Sequence, residues 1–393
     1  MITSRRQAFN RSFSKDHYPR FLSILERRFG ERAQFRHSET PCFFAPSLID
    51  RVARAGKEMT EQIVADSGYQ RLAFEAIPER YRVPATNAAP LFVQADFGLD
   101  EQLKPKLVEI QGFPSLYAYQ PVMAEAYREA YGLDDMLASL PFGLGLDEYK
   151  RLLGESILGG EDPEQVVLTE IDPDAQKTRH DFRMTEQWFG VRTVDIRALK
   201  REGRRLVYER DGRQVAVRRI YNRAIVDELE RKRAELQFDW RDDLDLTWAG
   251  HPNWFFLLSK FSLPYLKHPS VPETVFFDRA GEVDRPEDWV LKPLWSFAGL
   301  GVVVGPNAAQ LAAVPSDRRA DYILQRRVDF RPVIDTPFGP AKVEIRIMYL
   351  WLGELRPVNV IIRMGRGAQM GVDHNMGFEW VGASAAMIDT TQD

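Results

Sequence analysis

The stretch KLVEIQG, residues 106–112, has the alternating pattern of a buried strand with polar side chains at Glu109 and Gln111. Because successive side chains point to opposite faces of a strand, these two are expected on one face. A second strand is predicted just upstream, over Phe92–Phe97, and carries Asp96. A polar turn between the strands would bring the three residues together. Their oxygen ligands suit Mg²⁺, so we predict a metal site; solvated acids on a pair of edge strands are the alternative.

The bulk composition is that of an ordinary globular protein. The chain has 393 residues, of which 44% are hydrophobic and 28% charged, and this predicts two or three packed units. A net charge of −4 gives no general reason to bind nucleic acid or an anionic membrane. The stretch from Met1 to Ser14 has no apolar run, no segment approaches the roughly 20 apolar residues of a membrane span, and Cys42 is the only cysteine. We therefore expect a cytoplasmic protein without a disulfide, and the oligomeric state stays open.

The order of the expected elements divides the chain into five regions. The third alternates strand, helix and strand, with the helix over Asp174–Phe189, which is typical of a small parallel α/β unit. The fourth begins with a helix expected over Phe255–Leu266. The regions are 1–89 (mostly helical), 90–150 (the two polar strands and the helices after them), 151–250 (the α/β unit), 251–340 (a nucleotide-handling unit) and 341–393 (a hairpin with a closing strand).

Cations and a small-residue loop follow one another in the second half of the chain. Lys260 is expected on a helix and Lys292 on a strand, and the loop from Ser296 to Gly301 joins two strands. Because a strand follows this loop, it is not the glycine turn of a dinucleotide-binding fold, which opens a helix. Phosphoryl transfer needs cations and backbone amides around a triphosphate, a magnesium ion and the exclusion of water. Surface charges or structural ion pairs explain each residue singly, but the ordered set favours a nucleotide site.

These ordered motifs resemble the ATP-grasp superfamily and, within it, the circularly permuted branch that includes glutathionylspermidine synthase. LSK at 258–260 with LPYL at 263–266 looks like the lysine helix of that group, and WVLKPL at 289–294 looks like its phosphate-lysine strand. The metal-binding acids precede the nucleotide lobe here, as permutation requires. The resemblance covers roughly residues 90–385. It implies an ATP-grasp fold of the α+β or α/β class, with a small Rossmann-like pre-ATP-grasp unit and an N-terminal helical region.

The resemblance also implies two cofactors, ATP and Mg²⁺, and a set of site residues. Arg346 and Arg363 would be catalytic and would bind the γ-phosphate or an acyl-phosphate. Gln111 stands where the family usually has asparagine. The implied metal ligands are Asp96, Glu109 and Gln111, and the implied ATP-binding residues are Lys260, Lys292, Ser296, Gly299, Gly301, Gln325 and Val328.

The end of the α/β unit carries arginines that could bind an acidic substrate, because the guanidinium fork matches a carboxylate. An inter-lobe salt-bridge patch is the alternative. The candidate substrate-binding residues are Arg219, Tyr221, Asn222 and Arg223, together with the late Asn375.

The implied activity is that of an ADP-forming carbon–nitrogen ligase. ATP would phosphorylate a carboxylate, and an amine would attack the acyl-phosphate. The partners would be a small-molecule or peptide carboxylate and an amine, with neither nucleic acid nor membrane. Two other functions stay open: a phosphotransferase that stops after phosphorylating its substrate, and a nucleotide-binding scaffold or sensor without catalysis, for which Gln111 is the main support.

Overall fold

The computed structural model describes residues 1–296, 299–367, 370, 375 and 377–392. It has a mixed α+β fold with several sheets, as expected from the sequence. In the described part of the chain, no helix combines the length and the apolar character needed to cross a membrane. The α-helices are α1 (Thr3–Ser12), α2 (His17–Phe29), α3 (Pro46–Ala65), α4 (Ser67–Ala76), α5 (Tyr119–Tyr131), α6 (Leu146–Leu158), α7 (Arg179–Phe189), α8 (Val226–Arg231), α9 (Trp254–Leu257) and α10 (Ala308–Ala312).

Within the described ranges the strands form four sheets, and the largest combines strands from both ends of the chain. In chain order they are β1 (Cys42–Phe44), β2 (Phe92–Leu99), β3 (Pro105–Gln111), β4 (Leu137–Ala138), β5 (Val166–Glu170), β6 (Arg192–Asp195), β7 (Lys200–Glu202), β8 (Arg205–Arg210), β9 (Arg213–Val217), β10 (Arg219–Asn222), β11 (Thr247–Ala249), β12 (Thr274–Phe276), β13 (Trp289–Pro293), β14 (Val303–Val304), β15 (Tyr322–Arg326), β16 (Lys342–Leu352), β17 (Glu354–Gly365) and β18 (Gly382–Asp389).

The largest sheet has the strand order β1-β18-β17-β16-β2-β3, with β4 paired to β18. Its centre is the long hairpin of β16 and β17, which turns at Gly353 with a φ of 78° that favours glycine. β2 and β3 pair antiparallel beside this hairpin, and β1 pairs parallel with β18. Early and late segments of the chain therefore share one sheet.

The two faces of this sheet differ in chemistry because side chains alternate along each strand. On β2, Val93, Ala95 and Phe97 are buried in the core that also contains residues of α3. Gln94 and Asp96, between them, point to the opposite face. On that face α5 packs against β18 and α6 against β16. The polar middle of the sheet lies between these two covered areas.

The α/β unit contains a parallel sheet with the strand order β11-β10-β5-β6, and α7 connects β5 to β6. The expected helix over Asp174–Phe189 is shorter, since α7 begins at Arg179. Pro173–Ala175 form a separate 3₁₀ turn, and Gln176 after it is extended. The extended residue interrupts the helical hydrogen bonding, so the helix starts anew after it.

A small antiparallel sheet with the strand order β12-β15-β13-β14 faces the polar side of β2 and β3. The helix expected over Phe255–Leu266 is wrong in part. α9 ends at Leu257, and Lys260–Tyr265 form a 3₁₀ helix that contains Pro264. The backbone of Leu258 and Ser259 leaves the helical region, with ψ angles of 88° and −166°, and this interrupts the helix before Pro264 is reached. Lys260 stands at the first position of the 3₁₀ helix.

Candidate functional site

A cavity of about 410 Å³ lies between the small antiparallel sheet and the polar face of the large sheet. The small sheet supplies Lys292 and Gln325, and the large sheet supplies Asp96 together with residues of β16 and β17. Segments that are far apart in the chain therefore face one space. The candidate site residues that line this cavity are Asp96, Glu109, Lys260, Lys292, Gly299, Gln325, Val328, Arg346 and Arg363.

Lys292, on β13 of the small antiparallel sheet, is a buried cation with only 5% of its surface exposed. Its ammonium donates to the carbonyl oxygen of Val108 at 2.8 Å and to the side-chain oxygen of Gln325 at 2.6 Å. Burial lowers the pKa of Lys292 to about 8, partly offset by the charge of Glu109. A buried ammonium group with neutral oxygen partners is electrostatically suited to an incoming anion.

Lys260 reaches the cavity from the 3₁₀ helix. Its Nζ donates to the carbonyl oxygen of Ser296 at 2.5 Å and lies 3.7 Å from the carboxylate of Glu109. Lys260 thereby holds the first residue of the predicted loop, Ser296, beside the cavity. Gly299 and Gly301 in that loop have φ angles of 75° and 73°, which glycine adopts without strain. Phe297 and Ala298, also part of the predicted loop, lie outside the described residues.

Arg346 and Arg363 converge on the carboxylate of Asp96. Arg346 binds it with two hydrogen bonds, from Nε at 2.5 Å and Nη2 at 2.6 Å, and Arg363 donates to the same group at 2.5 Å. Burial works against the charged form, but the two guanidinium groups hold the pKa of Asp96 below its usual value. Arg363 also lies 2.6 Å from Glu344, whose pKa burial raises despite this arginine. The cluster presents a pair of oriented arginines to the cavity.

The carboxylates of the cavity meet the needs of a magnesium ion only in part. Both oxygens of Asp96 already accept hydrogen bonds from arginines, whereas the side chain of Glu109 is 27% exposed. Among the described residues, no group of three or more His, Cys, Asp or Glu side chains is placed to hold a metal. Mg²⁺ commonly binds through one or two carboxylates plus phosphate oxygens. The residues fit an ion that arrives with a nucleotide, and they do not fit a cage made by protein alone.

Gln111 lies beside this cavity and lines a smaller one of about 20 Å³ together with Glu109, Lys260 and Ser296. Its Nε2 donates to the side-chain oxygen of Gln94 at 2.7 Å. The carbonyl oxygen of the Gln111 amide thus remains the group available to a ligand in that small space.

Two polar residues of the cluster were not among the candidates from sequence. Gln94 is fully buried; its oxygen accepts from Arg346 at 3.1 Å, and its nitrogen donates to the carbonyl of Ser115 at 2.6 Å. Glu344 lines the cavity and binds Arg363. Gln94 stands two positions before Asp96 and Glu344 two before Arg346, so the alternation that pointed to the chosen residues also marks these two.

The candidate substrate residues around β10 do not line this cavity and occupy separate environments. Arg219 donates to the carbonyls of Ser156 and Ile157, at 3.0 and 2.9 Å, near the C-terminal end of α6. There it satisfies carbonyls that lack helical partners. The side chain of Tyr221 is fully buried in an apolar core. The structure thus places Arg219 and Tyr221 in separate contacts outside the cavity, and their role in binding a substrate stays a prediction.

Three other candidates are also held by protein contacts. Asn222 is buried, and its amide donates to the carbonyl of Ala224 at 3.3 Å. The guanidinium of Arg223 stacks near the ring of Phe113, at 5.0 Å. Asn375 is buried, and its side-chain oxygen accepts from the backbone of Arg366 at 3.2 Å. Two guanidinium nitrogens of Arg223, Nε and Nη1, are buried without a hydrogen-bond partner, so the predicted role of these residues in substrate binding stays a prediction.

Neither the family models nor the curated proteins compared with the chain give a match.

The charged side chains that line the cavity indicate which kind of ligand it can bind. The lining carries eight cationic side chains against four carboxylates. The cations are Lys177, Lys260, Lys292, Arg326, Arg327, Lys342, Arg346 and Arg363, and the carboxylates are Asp96, Glu109, Asp329 and Glu344. The excess of positive charge favours a polyanionic ligand.

Proposed function

We propose that the chain is an ATP-dependent, ADP-forming carboxylate–amine ligase with a permuted ATP-grasp fold. One observation carries this proposal. The side chains of Lys260 and Lys292, from the 3₁₀ helix and the small antiparallel sheet, line the same cavity as Arg346 and Arg363 of the large sheet. Cations on both sides of one space suit a triphosphate, whose charge must be neutralised along its length. The order of the motifs in the sequence supports the same assignment.

The nucleotide would lie between the two sheets. Lys260 and Lys292 would contact its phosphates, and the backbone from Gln325 to Val328, which lines the cavity, would border the base. Bound Mg²⁺ would neutralise charge on the phosphates, and Glu109 is the carboxylate best placed to hold it. Gln111 would contribute its amide oxygen from the adjoining small cavity.

The arginine pair would act on the phosphoryl group while it is transferred. In the first step a carboxylate oxygen of the substrate attacks the γ-phosphorus, the bond to the β-bridging oxygen breaks, and ADP leaves. In the second step the amine nitrogen attacks the acyl carbon, phosphate leaves, and the nitrogen loses a proton. Arg346 and Arg363 would stabilise the charge on the transferred group in both steps. Asp96 and Glu344 hold them in place beforehand, so little reorganisation is needed during the reaction.

A nucleotide-binding scaffold is the second candidate, and one observation favours it. Both oxygens of Asp96 are occupied by arginines, which leaves Glu109 as the exposed carboxylate of the predicted metal set. A site with weakened metal binding would retain the nucleotide without turning it over. The retention of both lysines and both arginines around the cavity weighs against this reading.

The test is to incubate the protein with MgATP and pairs of acids and amines, and to follow ADP and phosphate. The proposal predicts phosphate release that needs both acid and amine. ADP formation without phosphate would indicate a phosphotransferase, and nucleotide binding without turnover would indicate a scaffold. Lys292→Ala should abolish turnover, whereas Lys57→Ala, which removes a lysine on α3 from surface ion pairs, should not. Normal activity of Lys292→Ala would refute the assignment of the phosphate lysine.

A further inference from the structure

The cavity continues beyond the arginine pair toward the β18 side of the large sheet. Glu109 on β3 and Ala383 on β18 both line it, and strands β2, β16 and β17 lie between them. Neighbouring strands are about 4.8 Å apart, so these two residues are separated by roughly 19 Å across the sheet. The lysines are at the β3 side, because Lys292 contacts Val108 and Lys260 lies near Glu109. The space on the far side of the arginines is therefore left for a second substrate.

The large sheet presents an apolar surface at this far end, in contrast to its charged middle. Ile361 is opposite Arg346 in the register of β16 and β17, and Ala383 is opposite Arg363 in that of β17 and β18. The apolar residues of the cavity lining on this side are Phe35, Leu116, Ile361, Met370 and Ala383. An arginine pair thus adjoins an apolar surface on the same sheet face.

The backbone on this side is held in place by hydrogen bonds. The segment that contains Phe35 runs beside β18, where Ala383 donates its N–H to the carbonyl of Arg36 at 2.9 Å. Leu116 donates its N–H at 3.1 Å to Asp181, a fully buried carboxylate of α7. A fixed apolar wall of this kind selects a ligand by shape and size.

We propose that this end of the cavity binds the apolar body of the acid substrate, with its carboxylate at Arg346 and Arg363. The inference rests on the proposed ligase function and names its substrate class: a carboxylic acid whose carbons next to the carboxylate are apolar. A charged ammonium group beside the carboxylate, as in an amino acid, would lose its hydration against Ile361 and Ala383, and the nearby carboxylate of Glu344 is already bound by Arg363. Lys177 and Thr178 also line the cavity, at the start of α7, and are polar groups that a longer acid could contact.

The acid specificity can be measured with hydroxylamine as the amine, because it converts an acyl-phosphate into a hydroxamate with release of phosphate. The acids would be the straight-chain series from acetate to octanoate, phenylacetate, glycine, glutamate and glycylglycine, each with MgATP. We expect kcat/KM to rise about three- to fourfold for each added methylene until the space is filled. Turnover confined to the amino acids and the peptide would overturn this inference and leave the ligase function standing. Failure of every acid to yield hydroxamate or phosphate would overturn both.

Two substitutions of opposite sign test the position of the acid site. Ala383→Leu fills the apolar end, so the preferred chain length should shorten and kcat/KM for the longest acid should fall at least tenfold. Ile361→Ala enlarges the same end, so the preference should move to longer acids. The affinity for the nucleotide, measured by calorimetry, should stay the same in both. Unchanged chain-length preference in both folded variants would place the acid elsewhere.

Discussion

Arg346 on β16 lies directly opposite Asp96 on β2, and its guanidinium binds both oxygens of that carboxylate. The two residues are 250 positions apart in the chain and less than a tenth exposed. A buried pair with two parallel hydrogen bonds fixes the plane of the guanidinium. Asp96 therefore does more than border the cavity, because it orients the arginine that faces the ligand.

Removal of the carboxylate should destabilise the fold. Asp96→Asn removes the carboxylate that Arg346 and Arg363 share and leaves Arg346 with only the more distant Glu109, so we expect a loss of about 3–5 kcal/mol in the free energy of unfolding. Chemical denaturation followed by circular dichroism measures it. Asp135→Asn is the matched control, since that side chain is 96% exposed and should change stability by less than about 0.5 kcal/mol. Wild-type stability of Asp96→Asn would mean that the arginines do not depend on this carboxylate.

Gly98 should be required for the position of Phe330. A Cβ atom at Gly98 would lie 2.2 Å from the ring of Phe330, which lines the cavity together with Gln325 and Val328. Gly98→Ala should displace the ring, cost about 1–3 kcal/mol and weaken nucleotide binding. Gly145→Ala is the control, because nothing lies within 4 Å of a Cβ there, and its cost should stay below about 1 kcal/mol. Thermal unfolding and nucleotide titration measure both effects; equal behaviour of the two variants would rule out the contact.

Gln94 should act as a positioning residue for the site. Gln94→Leu would leave nitrogen atoms of Arg346 and Gln111 and the carbonyl of Ser115 without their partner, at a cost of about 1–3 kcal/mol. We expect kcat to fall more than the KM for ATP changes, because the arginine would lose its orientation. Gln102→Leu, at an exposed position, should change neither quantity. A purely structural role for Gln94 would lower stability and leave kcat of the folded enzyme intact.

Lys292 should make stability depend on pH in the alkaline range. The folded state lowers its pKa to about 8 from the ordinary 10.5, so between these values the unfolded chain binds more protons than the folded one. The stability contributed by this lysine therefore increases as pH rises from about 8 to 10.5, by up to ~3 kcal/mol. Lys292→Met should lack this increase. Denaturation of both proteins across that pH range is the measurement, and parallel curves would show that Lys292 titrates normally.

Local signals in the sequence were enough to predict the strands of the site and the face that its acids share, since alternation with period two is a property of neighbouring residues. The pairing of Asp96 with Arg346 was beyond such signals, because it depends on the register between strands from opposite ends of the chain. The expected helix at Phe255–Leu266 is interrupted at Leu258 and Ser259, where the sequence has neither glycine nor proline as a signal, and it resumes as the 3₁₀ helix that contains Pro264. The role of Arg219 was equally hidden, because its partners are helix carbonyls about 60 residues away, which no local pattern reveals.

A crystal structure with Mg²⁺ and a non-hydrolysable ATP analogue tests the central claim most directly. We predict the triphosphate between the two sheets, with Lys260 and Lys292 on its phosphates, Glu109 at the metal, and the γ-phosphate facing Arg346 and Arg363. A nucleotide bound outside this cavity, or a cavity that stays empty at saturating analogue, would contradict the claim.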